Sequence, residues 1–321
     1  MSEAVRVDPQ AHLARQRPGG VAFLFPGQGS QHAGMGTDLL RDDEIAELAR
    51  RCSRVAGVDL ARLLTSADEE ELRATANAQP ALLFVGVALA RLLERAGIRP
   101  DAVAGHSVGE YTALCVAGAI TPEEAVRAVV ARGRAMAEAA PPGTSSMCAV
   151  LGIGPEAVER ALDGVPEAWP ANYNTPTQTV IGGTVRGLEL AGKRMREAGA
   201  RRVVPLNVAA AFHTPIVAPA GKVLGDVLRT VAWQMPCVPV VANLTAEPYR
   251  TVEEIPDVLE RQLSSPVRWA DCVRRLAAMG CRHFVEVGPR RALSGMMREL
   301  VPEAGAHSVS TPEAALRLHL A

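Results

Sequence analysis

Residues 102–109 read Ala102-Val103-Ala104-Gly105-His106-Ser107-Val108-Gly109, and a helical pattern follows from Glu110 to Ile120. A short apolar strand enters a small-residue turn, and a helix leaves it. Gly-x-Ser-x-Gly in that setting is the pattern of a nucleophile elbow. The physics asks for small residues on both sides, because a Cβ two positions from the serine would collide with the neighbouring strand and helix. Such a turn exposes Ser107 Oγ and sets the Val108 N–H at a helix N-terminus, where donor and helix dipole favour a developing oxyanion. Three fixed positions in five also arise by chance, so the plain alternative is an ordinary glycine-rich turn.

Outward from this stretch the alternation continues. Val21–Phe25 suits a buried strand and ends in the glycine-rich loop Pro26-Gly27-Gln28-Gly29-Ser30-Gln31. Residues 81–93 (ALLFVGVALARLL) are apolar nearly all round, as in a buried helix. Thr121-Pro122-Glu123-Glu124 offers an N-cap with proline at the first helical position. Short apolar strands alternating with helices predict an α/β fold with a parallel sheet covered by helices. Between residues 144 and 208 the texture changes. Strand 147–151, helix 155–162, strands 169–173 and 179–182, helix 185–198 and strand 202–206 make a βαββαβ order, the ferredoxin-like signature of an inserted small subdomain. The α/β pattern then resumes, with strands expected at 238–242 and 283–287. Residues 1–20 are expected to form a flexible leader, with 21–143 and 209–321 making the large subdomain.

Composition narrows the function. The 321 residues are 48% hydrophobic, enough for a substantial core, and the net charge of −1 comes with no basic stripe, which argues against nucleic acid. Arginine far outnumbers lysine, present only as Lys193 and Lys222, and we read this as genome composition. Six cysteines lie scattered without a CxxC pair or metal-ligand spacing, so no metal is expected and the thiols read as small buried residues in a reducing cytosol. Neither a signal-peptide core nor an uninterrupted membrane-length apolar run is visible, and a cytoplasmic protein is expected.

A serine nucleophile needs a base. His12 and His319 lie near the termini, His106 adjoins the serine on a turn where neighbouring side chains diverge, and His32, His283 and His307 lack special context. His213 sits in Ala209-Ala210-Ala211-Phe212-His213-Thr214-Pro215, a small-residue stretch that lets another loop approach. It is the leading candidate, with a core or surface histidine as the plain alternative. No Asp or Glu presents itself as a third triad member.

Six motifs occur in order: 25–31 (FPGQGSQ), 105–111 (GHSVGEY), Arg132-Gly133, 172–176 (NYNTP), Ala211-Phe212-His213 and 286–289 (EVGP). Together they resemble the malonyl-CoA:acyl carrier protein transacylase family, which includes discrete enzymes of fatty acid synthesis and acyltransferase domains of polyketide synthases. The resemblance runs from about Val21 to Leu300. It implies an α/β-hydrolase-like large subdomain with an inserted ferredoxin-like small one, the active site between them, and a monomer. It further implies a Ser107–His213 dyad, an oxyanion hole from the backbone N–H groups of Gln28 and Val108, and a histidine oriented by a backbone carbonyl near Gln262. Arg132, otherwise a solvated helix arginine, matches the clamp on a malonyl carboxylate, and Gln79 matches a pocket-lining position. Acyl-CoA and the phosphopantetheine of an acyl carrier protein are the implied substrates, with no bound cofactor.

Val108 and Phe212 resemble the malonyl-type pattern, Phe212 by shrinking the room for an α-methyl group, although one methyl in a pocket is worth only about 1–3 kcal/mol. Ala211 departs from the histidine that many polyketide malonyl domains carry there. With no fused ketosynthase or carrier region, a free-standing enzyme is expected. The alternatives are a discrete polyketide-pathway acyltransferase moving another acyl group, even between two carrier proteins, a serine thioesterase or hydrolase, and a non-catalytic carrier-binding module.

Overall fold

The computed structural model describes residues 19–141 and 143–320. Most of the expected leader, including His12, lies outside the described residues. Five parallel strands form the main sheet in the order β7-β2-β1-β8-β9, from β1 (Gly20–Phe25), β2 (Ala102–Gly105), β7 (Val240–Val241), β8 (Cys281–Val287) and β9 (Gly305–Val309). Its strands β1 and β2 carry no polar side chain, as expected of a parallel sheet covered by helices. The helix Thr75–Arg95 packs beside it with one long side fully enclosed.

Helix Pro122–Ala139 begins as its sequence predicts: Thr121 Oγ1 accepts the Glu124 N–H, and Pro122 takes the first turn. Gly133 lets this helix approach Thr75–Arg95 closely, since a Cβ there would lie 2.8 Å from Ala76 Cα and 2.9 Å from the Thr75 carbonyl oxygen. The neighbouring residue, Arg132, is thereby driven into the interior.

The second sheet is antiparallel, ordered β4-β5-β3-β6, from β3 (Ser145–Leu151), β4 (Ala168–Thr175), β5 (Gln178–Thr184) and β6 (Arg202–Pro205). Helices Pro155–Leu162 and Val185–Glu197 cover one face around a small core of Val150, Val158, Ile181, Leu188 and Met195. This is the ferredoxin-like arrangement. Backbone ties β4 to the segment before helix Trp269–Ala278: Tyr173 N–H donates to the Val267 carbonyl, and Val267 N–H to the Ala171 carbonyl, both at 2.9 Å.

Several expectations need adjustment. The strand expected at 238–242 shrinks to two residues, because Pro239 and the turn after Val241 leave little chain to pair. β9 and the helix Asp43–Ala56 were not anticipated. The apolar 81–93 segment belongs to a 21-residue helix long and apolar enough to cross a membrane, and 83% of its apolar window is buried inside the protein. Of the six free thiols, four are buried, but Cys148 is half-buried and Cys237, on an exposed loop, is not a core residue.

Candidate active site

The elbow is built by close approach. A Cβ on Gly105 would lie 1.9 Å from the Gly109 carbonyl carbon, and one on Gly109 would lie 2.2 Å from the Phe25 carbonyl oxygen. Ser107, between them, takes a left-handed φ of 55°, a conformation L residues adopt only under constraint. The constraint comes from Asn243, just beyond β7: its Oδ1 accepts the Ser107 N–H at 2.7 Å, and its Nδ2 donates to the Gly105 carbonyl at 2.7 Å. The turn is thus clamped on both sides of Ser107.

His213 comes from the chain leaving β6 and also has a left-handed φ, 59°. Its loop is tied to the antiparallel sheet, where Ser145 Oγ accepts the Ala211 N–H, and Thr214 Oγ1 donates to the Ala211 carbonyl at 2.6 Å. His213 Nε2 lies 2.7 Å from Ser107 Oγ, and Nδ1 lies 3.0 Å from the backbone carbonyl oxygen of Gln262. A carbonyl only accepts, so Nδ1 carries the proton and Nε2 is left as the acceptor facing the serine. Burial first, and the Arg132 cation second, push His213 down to about 3, so the ring is neutral at ordinary pH.

Arg132 is 1% exposed. Nη1 donates to Gln79 Oε1 at 2.9 Å, and Nη2 donates to Ser107 Oγ at 3.1 Å and to Gln262 Oε1 at 3.2 Å. The guanidinium also lies over the Tyr111 ring, 5.7 Å from its centroid. No carboxylate in the described structure lies within salt-bridge distance of it.

The nearest acid is Glu110, fully buried. Its carboxylate accepts from Tyr249 Oη at 2.5 Å, from the Asn243 N–H at 3.0 Å and from Gln262 Nε2 at 2.9 Å. Burial raises its pKa against those donors. Gln262 Nε2 also donates to the Ser107 carbonyl at 3.0 Å. Gln262 therefore joins the elbow, the arginine and the buried acid by its side chain, and the histidine by its backbone.

Ser107, His213, Arg132, Gln28, Val108 and Phe212 line one cavity of about 290 Å³ between the two sheets. Gln79 and Gln262 stand one layer behind its wall, holding Arg132. Gln28 also braces its loop through Nε2 on Thr75 Oγ1 at 3.2 Å. His106 lines the same cavity but makes no hydrogen bond to Ser107 or His213; its Nε2 lies 3.0 Å from Asn174 Oδ1 and its ring 5.4 Å from that of Trp269. The motif at 286–289 supports the opposite wall: the Glu286 carboxylate accepts the N–H groups of Ala292, Leu293 and Ser294, and Ala292 and Leu293 line the cavity. A second cavity, about 340 Å³, borders Arg91, Glu94 and Cys115 and gathers none of the predicted residues. Among the described residues no cluster of three or more His, Cys, Asp or Glu could hold a metal ion. Sequence reasoning missed Asn243 and Tyr249, which stand in no motif, and gave Glu110 no role although it lies within the 105–111 motif.

One serine oxygen thus lies within hydrogen-bond distance of both a histidine and a buried arginine. Residues 22–313 match the family of acyl transferase domains. The chain belongs to this family. It is accordingly an acyltransferase. It is 40% identical over 298 residues to the malonyl CoA-acyl carrier protein transacylase of Bacillus subtilis, covering 91% of this chain and 94% of that one. The solved malonyl CoA-acyl carrier protein transacylase of Coxiella burnetii superposes with a TM-score of 0.89 at 34% identity, covering 93% and 96% of the two chains. A malonyl-transacylase solved in complex with a type II polyketide synthase acyl-carrier protein superposes at 0.88 and 37% identity, with 92% and 98% covered.

Proposed function

We propose that this acyltransferase moves a malonyl group from coenzyme A to the phosphopantetheine thiol of an acyl carrier protein through a malonyl-Ser107 intermediate. One observation carries the reading: Ser107 Oγ is within hydrogen-bond distance of both a neutral histidine and a buried arginine that has no carboxylate partner. The first makes an acyl-enzyme. The second selects an acyl group that brings its own carboxylate. The names of the relatives support the same substrates, and the polyketide complex supports a carrier protein as acceptor.

In this reading His213 Nε2 takes the Ser107 proton as Oγ attacks the thioester carbonyl. The N–H groups of Gln28 and Val108 receive the oxyanion. The C–S bond breaks and coenzyme A leaves as the thiol, carrying the proton. The pantetheine thiol then repeats the sequence in reverse, with His213 again the base. Residues 21–143 and 209–321 supply the nucleophile, cation and base, while 144–208 closes the cavity with Asn172, Asn174 and Val180. The enzyme needs no bound cofactor or metal and acts as a monomer in the cytoplasm, away from membranes and nucleic acid.

Intact mass spectrometry tests this directly. Malonyl-CoA should add one malonyl group to the wild type, none to Ser107→Ala, and the group should pass to added holo carrier protein. Release as free malonate with no loading of the carrier would instead identify a hydrolase.

A further inference from the structure

The Arg132 guanidinium presents five N–H donors on a rigid fork. A carboxylate can grip that fork with both oxygens along two edges, one made by Nε and Nη2, the other by Nη1 and Nη2. Nη2 belongs to both edges, and it is occupied here by Ser107 Oγ and Gln262 Oε1. Nε has no partner. A carboxylate that binds bidentately must therefore displace one of those two acceptors. They are not equally free to leave. Gln262 is pinned by Ser107 O, Glu110 Oε2 and His213 Nδ1. Ser107 Oγ turns about a single bond at the cavity wall.

We propose that Arg132 latches the nucleophile in the empty site, and that the acyl group's own free carboxylate releases it by taking Nη2. The inference rests on the malonyl-transfer reading and deepens it, because discrimination against neutral acyl groups then falls in the chemical step as well as in binding. While latched, an Oγ lone pair accepts from a cation and is a weaker nucleophile. Release frees that pair for the thioester carbon. The same carboxylate neutralises the charge that helps hold His213 low, so nucleophile and base strengthen together. Bond changes remain those of acylation: O–C forms, C–S breaks, and the proton passes through Nε2 to the departing sulfur.

Acetyl-CoA with added formate tests the latch, since formate supplies the carboxylate that acetyl lacks. Acetylation of Ser107 is timed by quench and intact mass, with potassium chloride as the ionic-strength control. Formate should raise the rate constant at saturating acetyl-CoA about tenfold with little change in KM. Arg132→Ala should acetylate at that stimulated rate and ignore formate. No stimulation of the wild type, or equal stimulation of Arg132→Ala, overturns the proposal. Should that variant fail to fold, labelling of wild-type Ser107 by a neutral fluorophosphonate decides, faster with formate being expected and unchanged or slower labelling overturning the latch. Malonyl-CoA runs in parallel: formate-stimulated acetylation in an enzyme that takes no malonyl group would sink the malonyl reading and leave the latch standing.

Discussion

At the scale of single residues, the site is governed by which buried groups carry charge. An ordinary histidine base loses activity as pH falls through about 6.5. His213 stays neutral far below that, so malonylation of Ser107 should hold level from pH 8 down to about pH 5. Rapid-quench rates across that range check it, and a limb centred near 6.5 would contradict it. Glu110 gives a second prediction. Glu110→Ala strands the Gln262 amide, the Asn243 N–H and the Tyr249 hydroxyl, each costing about 1–3 kcal/mol. Glu110→Gln can accept from the first two and donate to the tyrosine. Urea unfolding and acylation rates together should show alanine losing several kcal/mol and about 100-fold in rate, with glutamine close to wild type. Among these residues Ser107 was legible because its glycines leave a local pattern. Asn243 was not, since its partners lie 136 and 138 positions away and nothing local marks it.

Elements were legible where their period or their caps were local. The βαββαβ order was readable because each strand and helix carries its own period and is bounded by turn signals, although only β4 and β5 pair as chain neighbours. β9 was missed because Gly305-Ala306-His307-Ser308-Val309 has little apolar character, and its pairing with β8 makes it a strand. Helix packing yields a prediction of its own. Replacing a mid-helix glycine by alanine ordinarily stabilises by about 1 kcal/mol through propensity. Gly133→Ala should do the reverse, because the added methyl meets the Thr75–Ala76 backbone and must push two helices apart. Thermal melting should show a lowered Tm, and malonyl kcat/KM should fall as Arg132 shifts outward.

For the whole molecule, burying two neutral histidines links stability to pH. His106 and His213 both have folded pKa values below the unfolded value near 6.5, with burial the first cause in each. Above 6.5 neither state takes a proton, and their contribution is fully present. As pH falls below it, the unfolded chain binds protons that the fold refuses, and stability drains by up to about 1.4 kcal/mol per pH unit for each histidine. Glu110, raised by burial, works in the opposite sense and adds stability as pH falls. Urea melts at pH 7, 6 and 5 should show the wild type weakening, and His213→Gln weakening less steeply by about one proton. The cleft itself could be foreseen only through the family resemblance. Its walls come from stretches far apart in the chain, and the tie between them, the Val267 backbone against β4, leaves no mark in side-chain pattern.

The carbonyl that orients His213 has one more consequence. An acidic third triad member can be removed by a single codon change, whereas a main-chain oxygen survives almost every substitution at its position. The orientation of the base is therefore shielded from mutation, and variants at Gln262 isolate the other duties of that residue. Gln262→Ala should slow acylation by loosening Arg132 and the elbow while leaving the histidine tautomer in place, a separation that a carboxylate triad does not offer.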